Sequence, residues 1–464
     1  MFHVKHSECM MNECKRGAVL TVRIDSATID GSGIARINGQ VVFIPGALPG
    51  ETCRIRIAHV GRSAIYAELL SVQTASPHRI KPDCPYFGRC GGCALRHMDY
   101  EQELLLKQAH VLNCLTRIGG QTLDELPITG AAQTDGYRNK IQFPVQMQQG
   151  SAVAGFFGGK THTVISVTNC RLQPARAEAI RTAVLAWMQT YNIRAYDEAT
   201  HTGYIRHLYL RFGAVSGELL VCLIANTNDL PKKKQLVQTL LAADPQITTI
   251  VFSPNTKRGN TVLGTDFIPL YGSGTITDTL CSLQFRLSAP AFYQVNHAQA
   301  ERLYDRAVAL SGLTGQETVL DLYCGTGTIT LCLARHTRRA IGVEIIPQAI
   351  EDAKYNAAQN GLAHAEFYCM DAGQAAAMLA ARGTRPDVIV VDPPRKGVSP
   401  DVITAIHAMS PLRVVYVSCD PATLARDVKR LNEVGYQLQT AEAFDLFPRC
   451  AHVETVCLLS KPQT

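Results

Sequence analysis

The C-terminal third of the chain alternates apolar strand segments with helical segments, and this pattern limits the fold more than any other feature. Five segments, each apolar at first and then polar, follow one another: ETVLDLYCG, RAIGVEII, AEFYCMDA, DVIVVDPPRKG and RVVYVSCDP. Such alternation predicts an α/β domain with a doubly wound parallel sheet, whose ligands bind at the carboxyl ends of the strands. We therefore assign residues 281–464 to this domain and expect the chemistry of the chain at its strand ends.

The N-terminal part has a different pattern. Residues 17–72 contain five short β segments, separated by turn signals such as DGSG, NG and PG. They predict a small β-barrel over residues 1–73, for which the five-stranded nucleic-acid-binding barrel is a candidate. A small barrel with another ligand, or with none, is the alternative. Residues 74–280 mix strands and helices without a clear repeat and are predicted to form an α+β central domain.

Three cysteines lie close together in the stretch CPYFGRCGGC, at Cys84, Cys90 and Cys93. The chain shows no signal-peptide core and no run near the ~18 apolar residues of a membrane span, so we expect a cytoplasmic protein. Thiols stay reduced in the cytosol, which argues against a disulfide framework for the 16 cysteines. Zinc or iron–sulfur ligands, and buried small side chains, remain as interpretations. The net charge of +6 is compatible with a nucleic-acid partner but does not demand one.

A glycine-rich turn follows the first strand of the C-terminal domain. In DLYCGTGTI, Gly325 and Gly327 stand between a strand and a helix, where the backbone can approach a ligand. A dinucleotide fingerprint would have a third glycine where this chain has Thr330. Glu344 ends the next strand, where it can accept hydrogen bonds from ribose hydroxyls, and Asp371 ends the third strand, near an adenine edge. The pattern favours S-adenosylmethionine, with an NAD site or a bare packing turn as the alternatives.

Two further strand ends carry reactive groups. Asp392 precedes two prolines in VVDPPRKG, and this stiff turn can hold an acid against the N–H groups of a planar base. Cys419 occupies the same position on the next strand, in VSCDP, where its thiol can serve as a nucleophile. The structural alternatives are a corner of the backbone and a buried cysteine.

A thiol beside a sulfonium methyl donor suits the methylation of pyrimidine C5. Addition of the thiolate of Cys419 at C6 makes C5 nucleophilic, and after methyl transfer a base must remove the C5 proton. Glu454, in FPRCAHVETV, is a candidate base on a C-terminal strand, although a lone glutamate on a strand is more often a solvated side chain.

Taken together and in this order, CPYFGRCGGC, FYQVN, DLYCGTGTI, VVDPPRKG, VSCDP and HVETV resemble the RNA 5-methyluridine (uracil-5) methyltransferase family. The resemblance spans nearly the whole chain and is strongest to the bacterial 23S rRNA branch, which has an N-terminal TRAM domain and an iron–sulfur cluster. It implies Cys419 as the nucleophile and Glu454 as the base. It also implies an S-adenosylmethionine site that comprises Gln294, Tyr323, Glu344 and Asp392. Asp392 would also orient the uracil, and Asp371 stands where the family often has another polar ligand.

The resemblance further implies a [4Fe-4S] cluster and an RNA partner. The cluster ligands would be Cys84, Cys90, Cys93 and Cys170, although spacing alone does not choose Cys170 over Cys114. One departure from the family is Cys450, where a small hydroxyl residue is expected. The implied partner is 23S rRNA, with the target uridine flipped out of a loop and with phosphates facing basic residues of the barrel such as Arg54, Arg56 and Arg62. No membrane and no obligate protein partner is indicated.

Three other functions compete with this interpretation. A tRNA uracil-5 methyltransferase would use the same chemistry on a different RNA. A non-catalytic RNA-binding or ribosome-assembly protein would have no role for Cys419. A cytosine-C5 methyltransferase also uses a cysteine, but typically in a Pro-Cys context and with a glutamate for N3, which VSCDP does not supply.

Overall fold

The structure is a computed structural model, and it describes residues 15–159 and 161–462. Its described residues divide into two compact units. The first runs up to Leu112 and includes Phe447–His452, and the second comprises Asn113–Leu446 and the residues from Val453 onward. The division into three domains, with boundaries after residues 73 and 280, stays a prediction. The two compact units divide the chain differently. Within the described ranges, no helix is both long and apolar enough to cross a lipid bilayer.

The first unit contains a curled sheet of six short strands. These are β1 (Val19–Arg23), β2 (Ser26–Ala27), β3 (Ser32–Ile37), β4 (Gln40–Pro45), β5 (Thr52–Val60) and β6 (Ala64–Thr74), in the order β1-β5-β6-β4-β3-β2. Alternate residues point inward, and Ile44, Ile55 and Ile65 belong to its core. The predicted set of short strands is confirmed. The predicted segment ATIDGSGIARING forms two strands, because the DGSG turn folds β2 back on β3.

A loop with the three clustered cysteines and the helix α1 (Tyr100–Arg117) follow the curled sheet. The side chain of Asp99 caps this helix by accepting a hydrogen bond from the backbone N–H of Gln102 at 2.8 Å. Glu103 and Lys107, one turn apart and fully buried, form an ion pair of 2.8 Å. The apolar periodicity of the sequence predicts a helix over Met98–Ile118, and the observed helix is two residues shorter at its start and one at its end.

A six-stranded sheet dominates the first part of the second unit. Its strands are β8 (Lys140–Gln148), β9 (Ser151–Ala154), β12 (Ile205–Phe212), β13 (Leu219–Ala225), β14 (Ile247–Pro254) and β15 (Ile268–Tyr271), in the order β15-β14-β13-β12-β8-β9. The helices α2 (Arg176–Thr190) and α3 (Lys233–Ala243) contribute Trp187 and Leu240 to the core of this sheet. Short strands complete this part: β7 (Ile128–Thr129), β10 (Phe156–Phe157), β11 (Val164–Ile165), β16 (Thr275–Leu280) and β17 (Leu283–Ser288).

The rest of the second unit is an eight-stranded sheet with helices. Its strands are β18 (Thr318–Leu322), β19 (Arg339–Glu344), β20 (Ala365–Cys369), β21 (Val388–Val391), β22 (Arg413–Ser418), β23 (Gln437–Phe444) and β24 (Glu454–Ser460), joined by β7. The helices are α4 (His297–Ser311), α5 (Thr328–Ala334), α6 (Pro347–Gln359), α7 (Ala372–Ala381), α8 (Pro400–Met409) and α9 (Pro421–Glu433).

The strand order of this sheet, β20-β19-β18-β21-β22-β24-β23-β7, confirms the predicted doubly wound arrangement. The strands β18 to β22 are parallel, and β18 and β21 are buried along their whole length, as expected for a sheet covered on both faces. The order reverses between β18 and β21, which opens a crevice at their carboxyl ends. The pair β24 and β23 is antiparallel and extends the sheet beside β22.

Candidate active site

A cavity of about 440 Å³ lies at the carboxyl ends of the parallel strands. Six of the seven residues predicted for catalysis or cofactor binding line it: Gln294, Tyr323, Glu344, Asp392, Cys419 and Glu454. Asp371 is not among its lining residues. The cavity also has side chains that the sequence analysis did not single out, including Phe292, Asp321 and Arg395.

The turn between β18 and α5 brings the backbone close to this cavity. Tyr323, Gly325 and Gly327 all have positive φ angles, of 88°, 55° and 85°. The backbone N–H of Tyr323 is held by a 2.9 Å hydrogen bond to the carbonyl of Val343 on β19. A non-glycine residue with positive φ costs energy and persists where the surrounding structure enforces it, often at a functional site. At Gly327 a Cβ atom would also lie 3.2 Å from Cβ of Ala353, so the turn needs glycine there.

Glu344 is fixed against the same turn. Its carboxylate accepts hydrogen bonds from the backbone N–H groups of Ile345 at 2.8 Å, Ile346 at 3.0 Å and Gly325 at 3.3 Å. A carboxylate has about four lone-pair sites, so this anchored group still has acceptor capacity for a ribose hydroxyl. Gln294 is buried beside it, and its backbone carbonyl accepts a 2.9 Å hydrogen bond from Nδ2 of Asn139.

Asp371 has a clear structural role at the start of α7. Its side chain accepts hydrogen bonds from the backbone N–H groups of Gly373 at 3.0 Å and Gln374 at 3.2 Å, which caps the helix. Its predicted contact with adenine therefore stays a prediction, with one carboxylate oxygen already occupied.

Asp321 is a site residue that the sequence analysis missed. Burial, reinforced by the charge of Glu344, raises the pKa of Asp321 to about 7, against the opposing effect of a 2.5 Å hydrogen bond from Thr330 Oγ1. Its Oδ1 atom has no hydrogen-bond partner among the described residues. An aspartate inside an otherwise apolar strand, ETVLDL, is costly to bury, and this was the signal that could have identified it.

Asp392 and Arg395 lie on a loop that α9 holds in place. Burial and the nearby charge of Asp321 raise the pKa of Asp392 to about 7. The hydroxyl of Thr423 donates a 3.0 Å hydrogen bond to the backbone carbonyl of Arg395. The Arg395 guanidinium opposes the pKa increases of both Cys419 and Glu454, so it is a cationic partner for the two reactive groups.

Strand pairing brings Cys419 and Glu454 together. Ser418 pairs with Thr455 across β22 and β24, and continuing this register by one residue places Cys419 opposite Glu454. Residues opposite each other in an antiparallel pair have Cα atoms about 4.5–5.5 Å apart. Burial, with the charge of Asp392, raises the pKa of Glu454 to about 8. Burial, with the charges of Glu454 and Asp392, raises the pKa of Cys419 to about 11.

The four cysteines predicted as metal ligands belong to both units. Cys84, Cys90 and Cys93 lie in one loop of the first unit, whereas Cys170 belongs to the second unit. A hydrogen bond with the Cys450 thiol and burial raise the pKa of Cys93, and Cys450 itself donates to the carbonyl of Gly92 at 3.1 Å. In residues 15–159 and 161–462, no three His, Cys, Asp or Glu side chains form a group that could hold a metal ion. The iron–sulfur cluster therefore stays a prediction.

Comparison with known proteins gives the family. The sequence model of the tRNA (Uracil-5-)-methyltransferase family matches residues 100–462, and that of the TRAM domain matches residues 13–70. The chain belongs to the RNA uracil-5 methyltransferase family. It is an S-adenosylmethionine-dependent RNA methyltransferase with an N-terminal TRAM domain, as the resemblance had implied.

Relatives of this methyltransferase cover nearly its full length. An uncharacterized RNA methyltransferase of Halalkalibacterium halodurans is 42% identical over 95% of this chain and 96% of its own, and one of Bacillus cereus is 39% identical over 96% and 97%. The crystal structure of the Pyrococcus abyssi tRNA (uracil-54, C5)-methyltransferase, in complex with S-adenosyl-L-homocysteine, aligns with a TM-score of 0.74. It covers 95% of this chain and 100% of its own at 24% identity, so the two share a fold.

The proton held by Glu454 predicts a pH-dependent difference in stability. We expect Glu454→Gln to become more stable relative to the wild type as the pH rises from about 5 to about 9. A glutamate has a pKa of about 4.3 in the unfolded chain, and the pKa of folded Glu454 is about 8, so the wild type loses stability over this range. The amide does not titrate. Calorimetric Tm values measure the difference, with the exposed Glu433→Gln as the control. A difference that does not change with pH contradicts a proton on Glu454.

Proposed function

We propose that this methyltransferase forms 5-methyluridine in RNA, with Cys419 as the nucleophile and Glu454 as the base that removes the C5 proton. The observation that supports it most directly is that Cys419, directly after β22, and Glu454, the first residue of β24, line the same cavity, where continued strand pairing places them opposite each other. Glu344 and Gly325 also line this cavity. A pyrimidine ring between Cys419 and Glu454 would present C6 to the thiol and C5 to the carboxylate.

The remaining residues of the cavity suit a methyl donor. The open backbone at Gly325 and the anchored carboxylate of Glu344 would hold the adenosine part of S-adenosylmethionine, with Gln294 and Tyr323 beside it. When bound, this molecule supplies an electrophilic methyl group on a sulfonium.

The reaction begins with ionisation of Cys419. Its thiol is neutral near pH 7, because burial and the neighbouring carboxyl groups disfavour the thiolate. The guanidinium of Arg395 favours the thiolate, which adds to C6 of the uracil and moves negative charge onto C5 and O4. Asp392, whose pKa is about 7, is available in both forms near neutral pH, so it can accept from N3–H or donate to O4.

Elimination then restores the aromatic ring. C5 carries both the new methyl group and its original proton, and the carboxylate of Glu454 takes that proton. The electron pair of the C5–H bond forms the C5–C6 double bond as the C6–S bond breaks, which releases Cys419 as a thiolate. Because the pKa of Glu454 is about 8, this carboxyl must first lose its own proton to serve as the base.

Substitution separates the two chemical roles. We expect Cys419→Ala to abolish methyl transfer and to leave S-adenosylhomocysteine binding intact, since the cofactor residues lie on other strands. We expect Glu454→Gln to trap the covalent protein–RNA adduct, as should wild-type protein with 5-fluorouridine RNA, because fluorine cannot leave as a proton. Denaturing gels and labelled methyl groups provide the measurement. Cys369→Ala, at an exposed cysteine on β20, is the control and should behave as wild type. Turnover by Cys419→Ala, or no adduct in either case, contradicts the mechanism.

For the RNA substrate we propose 23S rRNA, with the target uridine in a loop. The TRAM domain supports contact with a folded RNA through exposed arginines such as Arg54 and Arg62. Arg56 forms a 3.1 Å surface ion pair with Glu68, so part of its charge is already neutralised within the sheet. A loop nucleotide costs less to extrude than a paired one, by roughly a few kcal/mol.

A tRNA substrate is the second candidate, and one observation favours it. The Pyrococcus abyssi enzyme is described as acting on tRNA, and its structure aligns with 95% of this chain. That coverage extends into the curled sheet of the first unit, so an additional N-terminal domain does not by itself separate the two substrates.

Direct competition between the two RNAs tests the proposal. With unmodified 23S rRNA and unmodified tRNA present together and a labelled methyl donor, we expect the label in 23S rRNA. Affinity should weaken with salt, and Arg54→Ala or Arg62→Ala should each reduce the slope against the logarithm of salt concentration by about 1 if the arginine meets a phosphate. The control Glu68→Ala removes a charge of the opposite sign from the same sheet. Preferential labelling of tRNA contradicts the rRNA assignment and supports the second candidate.

We also propose that Cys84, Cys90 and Cys93 bind a [4Fe-4S] cluster, with Cys170 as the fourth ligand. The support is the spacing in CPYFGRCGGC, within a family of RNA-modifying enzymes. In the cluster-bound protein, Cys93 would exchange its hydrogen bond with Cys450 for a metal bond. Methyl transfer uses no electron carrier, and no step above involves the cluster.

Iron analysis tests this part of the proposal. Protein purified without oxygen should contain about four irons per chain with matching labile sulfide. Cys90→Ser and Cys170→Ser should each lose the iron, whereas Cys369→Ser should retain it. Stoichiometric zinc without sulfide, in protein from iron-replete cells, contradicts the proposal.

A further inference from the structure

A second cavity, of about 320 Å³, lies in the second unit and shares no lining residue with the catalytic cavity. The strands β8 and β12 form one side of it, and the segment from Arg194 to Thr202 forms another. Its volume is within the lower range of small-molecule sites. The mechanism of methyl transfer makes no use of it.

The sheet is irregular where it borders this cavity. Pro144 stands in the middle of β8, opposite His207 on β12, although proline cannot donate to the ladder and is rare within a sheet. Next to it the register shifts between Ile205 and His207, so that Arg206 is an extra residue. Bulges of this kind redirect side chains and are common beside functional sites. Pro144 and the bulge at Arg206 both disturb regular strand pairing at the same place. This indicates that a requirement other than stability shapes this part of the sheet.

The bulge directs two nitrogen-bearing side chains to the cavity. Arg206 is only 4% exposed, and its Nη1 and Nη2 atoms donate to backbone carbonyls that include those of Asn255 at 2.8 Å and Gly259 at 3.0 Å. Its Nε atom and Nδ1 of His207 have no hydrogen-bond partner among the described residues. Burial and the charge of Arg206 lower the pKa of His207 to about 4, so its ring is neutral near pH 7. Both groups line the cavity with hydrogen-bonding capacity unused.

The mouth of the cavity combines aromatic and acidic groups. Phe157 is 38% exposed and contacts His162 in a tilted arrangement, with ring centroids 5.5 Å apart and an angle of 33° between the ring planes. Glu198, also at the mouth, lies 3.4 Å from Nδ1 of His162. A planar ring could therefore stack on Phe157, with acceptors on one edge facing Arg206 and His207 and donors on the other edge facing Glu198.

We propose that this cavity binds an unpaired guanine of the RNA substrate, extruded from its stack a few nucleotides from the target uridine. Guanine presents O6 and N7 as acceptors, which suit Arg206 and His207, and its N1–H and N2–H₂ donors suit the carboxylate of Glu198. Stacking on Phe157 supplies the remaining contact. The inference rests on the proposed function, because it takes RNA as the substrate.

The strand β8 gives the separation of the two sites. Asn139, which precedes β8, donates to the backbone of Gln294 at the catalytic cavity. Pro144–Met147 line the second cavity, five to eight residues further along. At about 3.3 Å per residue, the two cavities are about 15–25 Å apart along this strand. One RNA strand can span such a distance with a few nucleotides.

Binding of matched RNAs tests the inference in the full-length protein. The probes are a short single-stranded pyrimidine RNA that contains uridine and a series of the same RNA with one guanosine at successive positions. We expect tighter binding by the wild type when the guanosine stands a few nucleotides from a uridine, by about 5- to 150-fold if one stacked base is gained. Phe157→Ala should remove this preference, and Phe157→Tyr should retain it.

The control is Tyr271→Ala, which removes an exposed aromatic side chain of the six-stranded sheet, 42% exposed on β15. No preference in the wild type, or an equal preference in Phe157→Ala, overturns the inference. Binding of guanosine monophosphate without any preference among the RNAs overturns it as well and makes the cavity a free-nucleotide site. Methyl transfer to uridine, measured in the same samples, distinguishes a failure of this inference from a failure of the proposed function. Its persistence without a guanine preference contradicts only this inference, whereas its absence with every RNA contradicts the proposed function.

Discussion

The pairing of β24 with β22 is the constraint on which the rest of the site depends. The thiol and the carboxyl group face each other because Ser418 pairs with Thr455, and both strands are buried in the centre of the sheet. A slip of one residue would turn every side chain of β24 to the opposite face. The apolar residues of β24, such as Val456 and Leu459, then would lose their places in the core. The packing of the sheet thus fixes the geometry of the reacting groups.

The carboxyl groups that line the cavity cannot all be ionised at the same time near neutral pH. Asp321, Asp392 and Glu454 line one cavity, and each has a raised pKa, chiefly because burial disfavours the charged form. Arg395 is the one cationic side chain among the described residues that line the cavity. The thiol of Cys419 is neutral near pH 7, and the proposed reaction would move protons at these same carboxyl groups.

Sequence patterns predicted those parts of the structure that obey simple rules. The alternation of apolar strands with helices predicted the parallel sheet. The polar residues at strand ends predicted that Glu344, Asp392 and Cys419 belong to the site. Asp321 escaped notice because it lies within an apolar strand, and the pattern assigns such positions to packing. Asp371 was placed correctly at a strand end, but the same position is also a helix N-cap, and sequence cannot say which role dominates. The link between Cys93 and Cys450 joins residues far apart in the chain, which no local pattern can predict.

The loop that carries Asp392 and Arg395 is anchored to the interior by buried groups. Asp427 on α9 is fully buried and accepts hydrogen bonds from the backbone N–H of Val398 at 3.0 Å and from the hydroxyl of Tyr416 at 2.8 Å. Gly397 has a φ of 78°, and a Cβ atom there would overlap the Asp427 carboxylate. Most loops tolerate insertions and sequence changes. In this loop, the backbone of Val398 is hydrogen-bonded to Asp427, and Gly397 has no room for a side chain. In an evolving lineage, a change of RNA target would therefore arise on other surfaces of the molecule, while the DPPRKG segment stayed as it is.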